Sequence, residues 1–264
     1  MRPSHTTLLM VIATVVLVAC IDMSAPSGAF SISSLQLPSP SVVVGDVMRD
    51  SNGTPAPVGL TAYDVNGLPI HSATPQFFIT DSGGVAHLDA NHNLVGDRLG
   101  VVHLFGQIGS LQTAIANVPV TSAPFKLSRN SSTDTLNAPF PTDSAASIKS
   151  VPFSVSLKSA GGAPSQGFIV RYVLQHAPAS LPSATGPAVY LANSAGKLST
   201  VDTTDASGNG NHFLVVNSLA LADQALLAGT KIDSAVISAS TAYRGAIVDA
   251  PQTFVIRIKV TFGK

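Results

Sequence analysis

Apolar and polar positions along the chain fall into three regimes. The first is a single apolar run, Leu8–Ala19, interrupted only by the polar Thr14 and preceded by Met1-Arg2-Pro3-Ser4-His5. Its length falls short of the roughly 20 residues a spanning helix needs. With Arg2 and the α-amine ahead of it, the run predicts a cleaved export signal over residues 1–19. Ser24–Gly28 then reads as a polar spacer within residues 20–29.

The second regime is a series of short apolar runs closed by turn residues, predicting strands about ten residues apart. Ser31–Leu37 alternates and stops at Pro38, as an edge strand does. Val42-Val43-Val44 is closed by Gly45-Asp46, and Val58–Tyr63 runs into Asp64-Val65-Asn66-Gly67. Gln76–Thr80, Gly84–Asp89, Val101–Gln107 and Leu111–Val120 complete the set. Short strands at this spacing argue for a sandwich.

The polar stretch Ser128–Thr135 has no apolar periodicity and reads as part of a linker over 128–137. A third regime follows. Val151–Leu157, Phe168–Leu174, His212–Val216, Ser234–Ser240 and Thr253–Phe262 alternate as strands, with turns at Ser159–Gly162, Asn193–Gly196 and Asp205–Gly210. Leu219–Leu227 has helical spacing before Gly229 and reads as a short crossover helix. The expected architecture is all-β, with sandwiches over 30–127 and 138–264.

The residues also carry a family likeness. Leu37–Asp46, then Leu60–Ile70, Gly83-Gly84-Val85-Ala86 and Gly100-Val101-Val102, resemble a bacterial immunoglobulin-like domain of the invasin/intimin type. The family usually has Trp in its third strand; the chain has none, so Phe77-Phe78 would fill that space. Ser154–Lys158, Thr204–Gly208 and Asp233–Ser240 resemble the same family in the second half. The resemblance implies two tandem immunoglobulin-like β-sandwiches, used as stalks, adhesive modules or appendages.

Leu17-Val18-Ala19-Cys20 is similar to the lipobox of bacterial lipoproteins at all four positions. That likeness implies cleavage between Ala19 and Cys20, a diacylglycerol on the Cys20 sulfur and acylation of the new amine. Two or more acyl chains hold a protein stably on a bilayer where one does not. An ordinary cleaved signal with a chance cysteine is the alternative. Ile21 after the cysteine resembles the pattern that permits sorting to an outer membrane or cell surface.

Composition sharpens this picture. Lys plus Arg and Asp plus Glu both number 14, and every acidic residue is Asp. Asp favours turns, because its short carboxylate bonds nearby backbone, whereas Glu favours helices. No basic stripe is present, so nucleic acid is not an expected partner. With Cys20 committed to lipid, no disulfide is left to brace a sandwich.

Candidate chemistry is sparse. His87 and His92 are five apart across a turn, which suits no closed zinc geometry. Asp202–Asn209 collects oxygen donors but departs from a calcium loop, and turn geometry accounts for it equally well. The sequence has neither G-x-S-x-G nor H-E-x-x-H, although His212 follows a loop near abundant Ser and Asp. No catalytic residue, metal, cofactor or small-molecule substrate is therefore expected. The expected partners are the membrane, through the Cys20 lipid, and a protein. The expected role is non-catalytic structural display or protein interaction, with a dedicated adhesin or accessory subunit as the alternative.

Overall fold

A computed structural model of the protein describes residues 28–81, 83–132, 135–139, 148–180, 186–221 and 229–262. Ala19 and Cys20 lie outside them. The first half holds β1 (Ser31–Ile32), β2 (Val42–Val43), β3 (Ala62–Tyr63), β4 (Gln76–Ile79), β5 (Ala86–Leu88), β6 (Leu94–Gly96), β7 (Gly100–Ile108), β8 (Leu111–Gln112) and β9 (Ala116–Thr121). The second half holds β10 (Pro124–Ser132), β11 (Thr135–Pro139), β12 (Ile148–Ser159), β13 (Ile169–His176), β14 (Val189–Ala192), β15 (Val201–Thr203), β16 (Asn209–Asn217), β17 (Gly229–Tyr243), β18 (Ala246–Ile247) and β19 (Gln252–Phe262). One short helix, α1 (Ser218–Leu221), stands where Leu219–Leu227 was expected; residues 222–227 of that expectation lie outside the described residues. The fold is all-β.

Two compact units are built from interleaved segments. One takes in the described residues through Leu37, with Val58–Asp81 and His103–Asn117. In it β1 pairs with β3, and β4 pairs antiparallel with β7 from Gln76↔Gln107 to Ile79↔Leu104. Leu104 and Ile108 are buried there, but Phe78 is 39% exposed and stacks on Phe105 with ring centroids 5.1 Å apart. Phe78 therefore does not fill a core position in place of tryptophan. Its alternation on β4 turns it outward.

The other unit comprises Pro38–Pro57, Ser82–Val102 and Val118–Lys264. Its main body is a sandwich. One sheet has the order β10-β12-β16-β14; the other runs β11-β19-β17-β13-β15, with β18 on β17. Named by chain order, the first is A-B-E-D and the centre of the second is G-F-C, which is the immunoglobulin arrangement. Alternation fixes the core. Val151, Phe153, Val155 and Leu157 point inward from β12, His212, Leu214 and Val216 from β16, and Phe254, Ile256, Ile258 and Val260 from β19. A strand sends alternate side chains to one face, so these period-two sets converge in one layer.

Antibody domains pack a strand-C tryptophan on a disulfide that joins strands B and F. Here the strands equivalent to C and B bring aromatic rings, joined by one from G. Tyr172 of β13 meets Phe153 of β12 edge-on at 5.4 Å, and Phe153 meets Phe254 at 5.0 Å. Gly210 on β16 makes the room: a Cβ there would come within 2.9 Å of the Tyr172 hydroxyl. A glycine inside a strand marks such a close approach.

The described residues of the expected linker are strand. Residues 128–132 belong to β10, which pairs with β12 from Pro124↔Ser159 to Ser132↔Phe153, and residues 135–137 belong to β11, parallel to β19. The physical reason is edge position. β10 buries Leu127 and lays the Arg129 guanidinium 5.0 Å from the centre of the Phe254 ring, while Phe125, Lys126, Arg129 and Asn130 are exposed. An edge strand of that kind shows little apolar periodicity. β14 and β15 also form where no strand was expected, each too short to show a period.

The aspartates build loops. At Asp50, Asp64, Asp89, Asn193 and Asp205 the side-chain oxygen accepts hydrogen bonds from the backbone N–H groups two and four residues on. The residue three positions on has positive φ: Gly53, Gly67, His92, Gly196 and Gly208. This is a type I turn closed by a left-handed residue, the common three-residue hairpin loop. Gly208 is tightly enclosed, at φ +76° with Leu157 O only 2.5 Å from where a Cβ would sit.

Candidate functional site

The residues singled out in the sequence are not gathered into one site. The His87 Nδ1 lies 2.8 Å from the Asp97 carboxylate, while His92 occupies the left-handed position of its turn. Among the described residues, no three His, Cys, Asp or Glu side chains are grouped to hold a metal. In the Asp202–Asn209 loop the donors are already engaged. Asp202 accepts from Thr203 and Asn211 N–H, and Asp205 accepts from Ser207 and Asn209 N–H.

His212 is a core residue, fully buried. Its ring stacks on Tyr172 at 4.4 Å and meets Phe153 at 5.9 Å, and its Nε2 lies 2.8 Å from the Ser199 carbonyl. That contact makes Nε2 the donor and leaves Nδ1, which has no hydrogen-bond partner among the described residues, as the bare nitrogen. Burial pushes the imidazole below its ordinary value, more than the Ser199 carbonyl and the nearby Asp202 charge restore. The sign follows from linkage. Below about pH 6.5 the unfolded chain takes up a proton that the folded core refuses, so stability falls as pH falls through that range. A slope of up to about 1.4 kcal/mol per pH unit is expected from this group. Urea midpoints at pH 7.5 and 5.5 check it. His212→Gln should remove the slope while costing stability at neutral pH.

The best-formed polar centre was not visible as such in the sequence. It lies where the Pro38–Pro57 segment packs on β13 and the β17–β18 hairpin. Tyr243 and Ala246 pair across a two-residue turn, and Arg244 and Gly245 both have positive φ, at 52° and 76°. Two central residues of that conformation make a type I′ turn, whose twist matches a hairpin. Gly53 lies against the turn so closely that a Cβ would sit 2.0 Å from Gly245 N. Ser41 adds a second contact, donating from Oγ to the Gly167 carbonyl at 3.0 Å.

At the centre is Asp46, with only 5% of its side chain exposed. Arg49 grips it bidentately, with Nε donating to Oδ2 at 2.9 Å and Nη2 to Oδ1 at 2.8 Å. Arg244 Nε at 2.9 Å and the Tyr243 hydroxyl at 2.6 Å both donate to Oδ2, and Val47 N–H donates to Oδ1 at 2.9 Å. Burial opposes the charge on Asp46. The hydrogen bonds from Arg49, Arg244, Tyr243 and Val47 outweigh it and hold the carboxyl well below the usual carboxylate range. The Tyr243 phenol is pushed up to about 12 by burial and by its bond to Asp46, so it remains a donor.

In front of this centre is a cleft of about 80 Å³. Arg49, Arg171, Arg244 and Asp50 line it, with Ser39 and Ser51 among its polar groups. Chemically the centre is a saturated ion cluster that ties residues distant in the chain, and the cleft is a small recess of mixed apolar and polar lining with spare cationic donors. The signals available in the sequence were the Asp46-x-x-Arg49 spacing and the Arg244-Gly245 dipeptide between two apolar runs. Nothing local joined them, because 197 residues separate Asp46 from Tyr243.

No known protein family matches the sequence, and no curated protein does. Solved structures are similar at low identity. Domains 4 and 5 of the S-layer protein SbsC align over 88% of this chain and 99% of that one, with 13% identity and a TM-score of 0.30. The D00-D0 domain of intimin aligns over 88% and 100%, with 11% identity and a TM-score of 0.27. The Yersinia pseudotuberculosis adhesin InvE aligns over 86% of this chain and 60% of its own, at 15% identity and a TM-score of 0.31. The immunoglobulin-like assignment of the second half rests on its own strand order.

Proposed function

We propose that this is a lipid-anchored protein of the cell envelope, tethered through Cys20 at an outer membrane or cell surface. Its tandem immunoglobulin-like sandwiches serve structural display without chemistry of their own. The observation that supports the display role is how the sandwich edges are built. A free strand edge offers unpaired backbone groups to any passing chain, and folded proteins blunt such edges by shortening, bulging or charging them. Here β15 has three residues, β14 four and β11 five, ending at Pro139. The longer β10 starts at Pro124, carries Lys126 and Arg129, and slips register twice against β12. Such edges suit a body that projects from a surface without pairing with its neighbours.

Anchoring is supported by the lipobox-like Leu17–Cys20 alone. Mass spectrometry of the membrane fraction is expected to find a mature N-terminus at Cys20 carrying acyl chains. Cys20→Ser should move the protein to the soluble exported fraction. An unmodified soluble wild-type protein that begins elsewhere would sink the anchor. The second reading, a dedicated binding module, is favoured by one observation: the arginine-lined cleft beside Asp46.

A further inference from the structure

We propose that this cleft binds a compact tetrahedral oxyanion, phosphate or sulfate, either free or as a monoester. The assignment stands whether or not Cys20 carries lipid. Size sets the first limit: about 80 Å³ of water-accessible space compares with about 10–15 Å³ needed to hold one water. A four-oxygen ion is accommodated.

Charge sets the second. Three guanidiniums and one carboxylate line the cleft, in a chain whose acidic and basic residues balance at 14 each. Their donors are unequally spent. Arg49 uses Nε and Nη2 on Asp46 and Nη1 on the Gly53 carbonyl. Asp46 lies behind the cleft, saturated by five donors, and Asp50 Oδ1 already accepts from Asn52 and Thr54 N–H. Arg244 commits Nε alone to Asp46, and its side chain is 55% exposed. Arg171 has no hydrogen-bond or ion-pair partner among the described residues; its neighbours across the sheet are Ser240 and Val201, neither of which carries charge.

Arg171, whose guanidinium is unspent, and Arg244, with only Nε committed, therefore line one small recess together with Ser39 and Ser51. Guanidinium forks pair with phosphate and sulfate oxygens through parallel charge-assisted hydrogen bonds. A dianion matches two such groups where a single carboxylate matches one. The aspartate cluster behind them supplies rigidity, because Arg244 is pinned at Nε and presents its other nitrogens from a fixed turn.

The test is calorimetric titration of the purified full chain with sodium phosphate, sodium sulfate, phenyl phosphate and sodium acetate, each against sodium chloride at matched ionic strength. Saturable binding of phosphate and sulfate is expected, with acetate weaker. Arg171→Gln should weaken binding by about tenfold or more, the loss of one charge-assisted contact. It should leave the melting temperature without anion unchanged, since Arg171 takes no part in the Asp46 cluster. Phenyl phosphate binding as tightly as inorganic phosphate assigns the site to an esterified group, and exclusion of the ester assigns it to the free ion. Either result upholds the site. No saturable response beyond chloride, or an Arg171→Gln protein with unchanged affinity, overturns it.

Discussion

Truncating Phe153 to alanine is expected to lower the unfolding free energy by about 3–5 kcal/mol, from lost transfer energy plus the cavity left behind. The residue is 1% exposed, and its ring contacts Tyr172, His212 and Phe254 at centroid distances of 5.4, 5.9 and 5.0 Å. It sits where the two sheets are nearest to being bolted together. With one cysteine in the whole sequence, no disulfide within the chain can compensate. Against a total stability of about 5–15 kcal/mol for a domain, the loss should be visible as a large fall in urea midpoint. Phe78→Ala is the control. That ring is 39% exposed, and its removal should cost about 1 kcal/mol or less, the size of one aromatic pair. Equal effects at the two positions would refute the assignment of the core to the aromatic cluster.

Removing Asp46 is the second large change. Asp46→Ala is expected to cost about 2–3 kcal/mol, somewhat below the 3–5 typical of breaking a buried ion pair. The discount has a structural cause: the orphaned Arg49 and Arg244 side chains are 23% and 55% exposed and can rehydrate. Tyr243→Phe, which deletes one hydrogen bond to a charged group, should cost about 1.5–3 kcal/mol. Arg244→Ala, at a mostly exposed pair, should cost less than about 1 kcal/mol. The order matters more than any single value, because a merely superficial cluster would give small and equal losses. The variant also changes pH dependence. The carboxyl of Asp46 is held below its unfolded value, so its contribution is complete above about pH 4 and drains away as the pH falls below that, where the unfolded chain binds the proton first. Asp46→Ala should flatten the stability profile below pH 4 and leave the His212-linked slope nearer pH 6 intact. Hydrogen exchange should locate the damage, with faster exchange in Val42–Val43 and in the Tyr243–Ala246 turn.

The two predictions differ in how visible their residues were beforehand. Phe153 stands in an alternating run, and alternation reports directly which side chains share a face. That is why β12, β13, β16, β17 and β19 were all expected, and why their ends alone moved. Asp46 showed only as a turn residue after three valines. Its partners lie far along the chain, and no local pattern records a contact that forms when two segments meet. The same reason hid β10. An edge strand owes its existence to the neighbour it pairs with, so Ser128–Thr135 looked like a connector although Leu127 is buried beside it.

Local chemistry was enough to specify an all-strand chain, the places where it turns, and the absence of any cysteine pair to brace it. Alternation and turn geometry act within a few residues, and both are written directly in residue order. Which strands become neighbours, that Tyr172 and Phe153 stand in for a tryptophan and a disulfide, and that Arg49, Tyr243 and Arg244 converge on one carboxylate were decided only on folding. Those contacts depend on distance in space, and their energies exist only after water has been driven from between segments far apart in the chain.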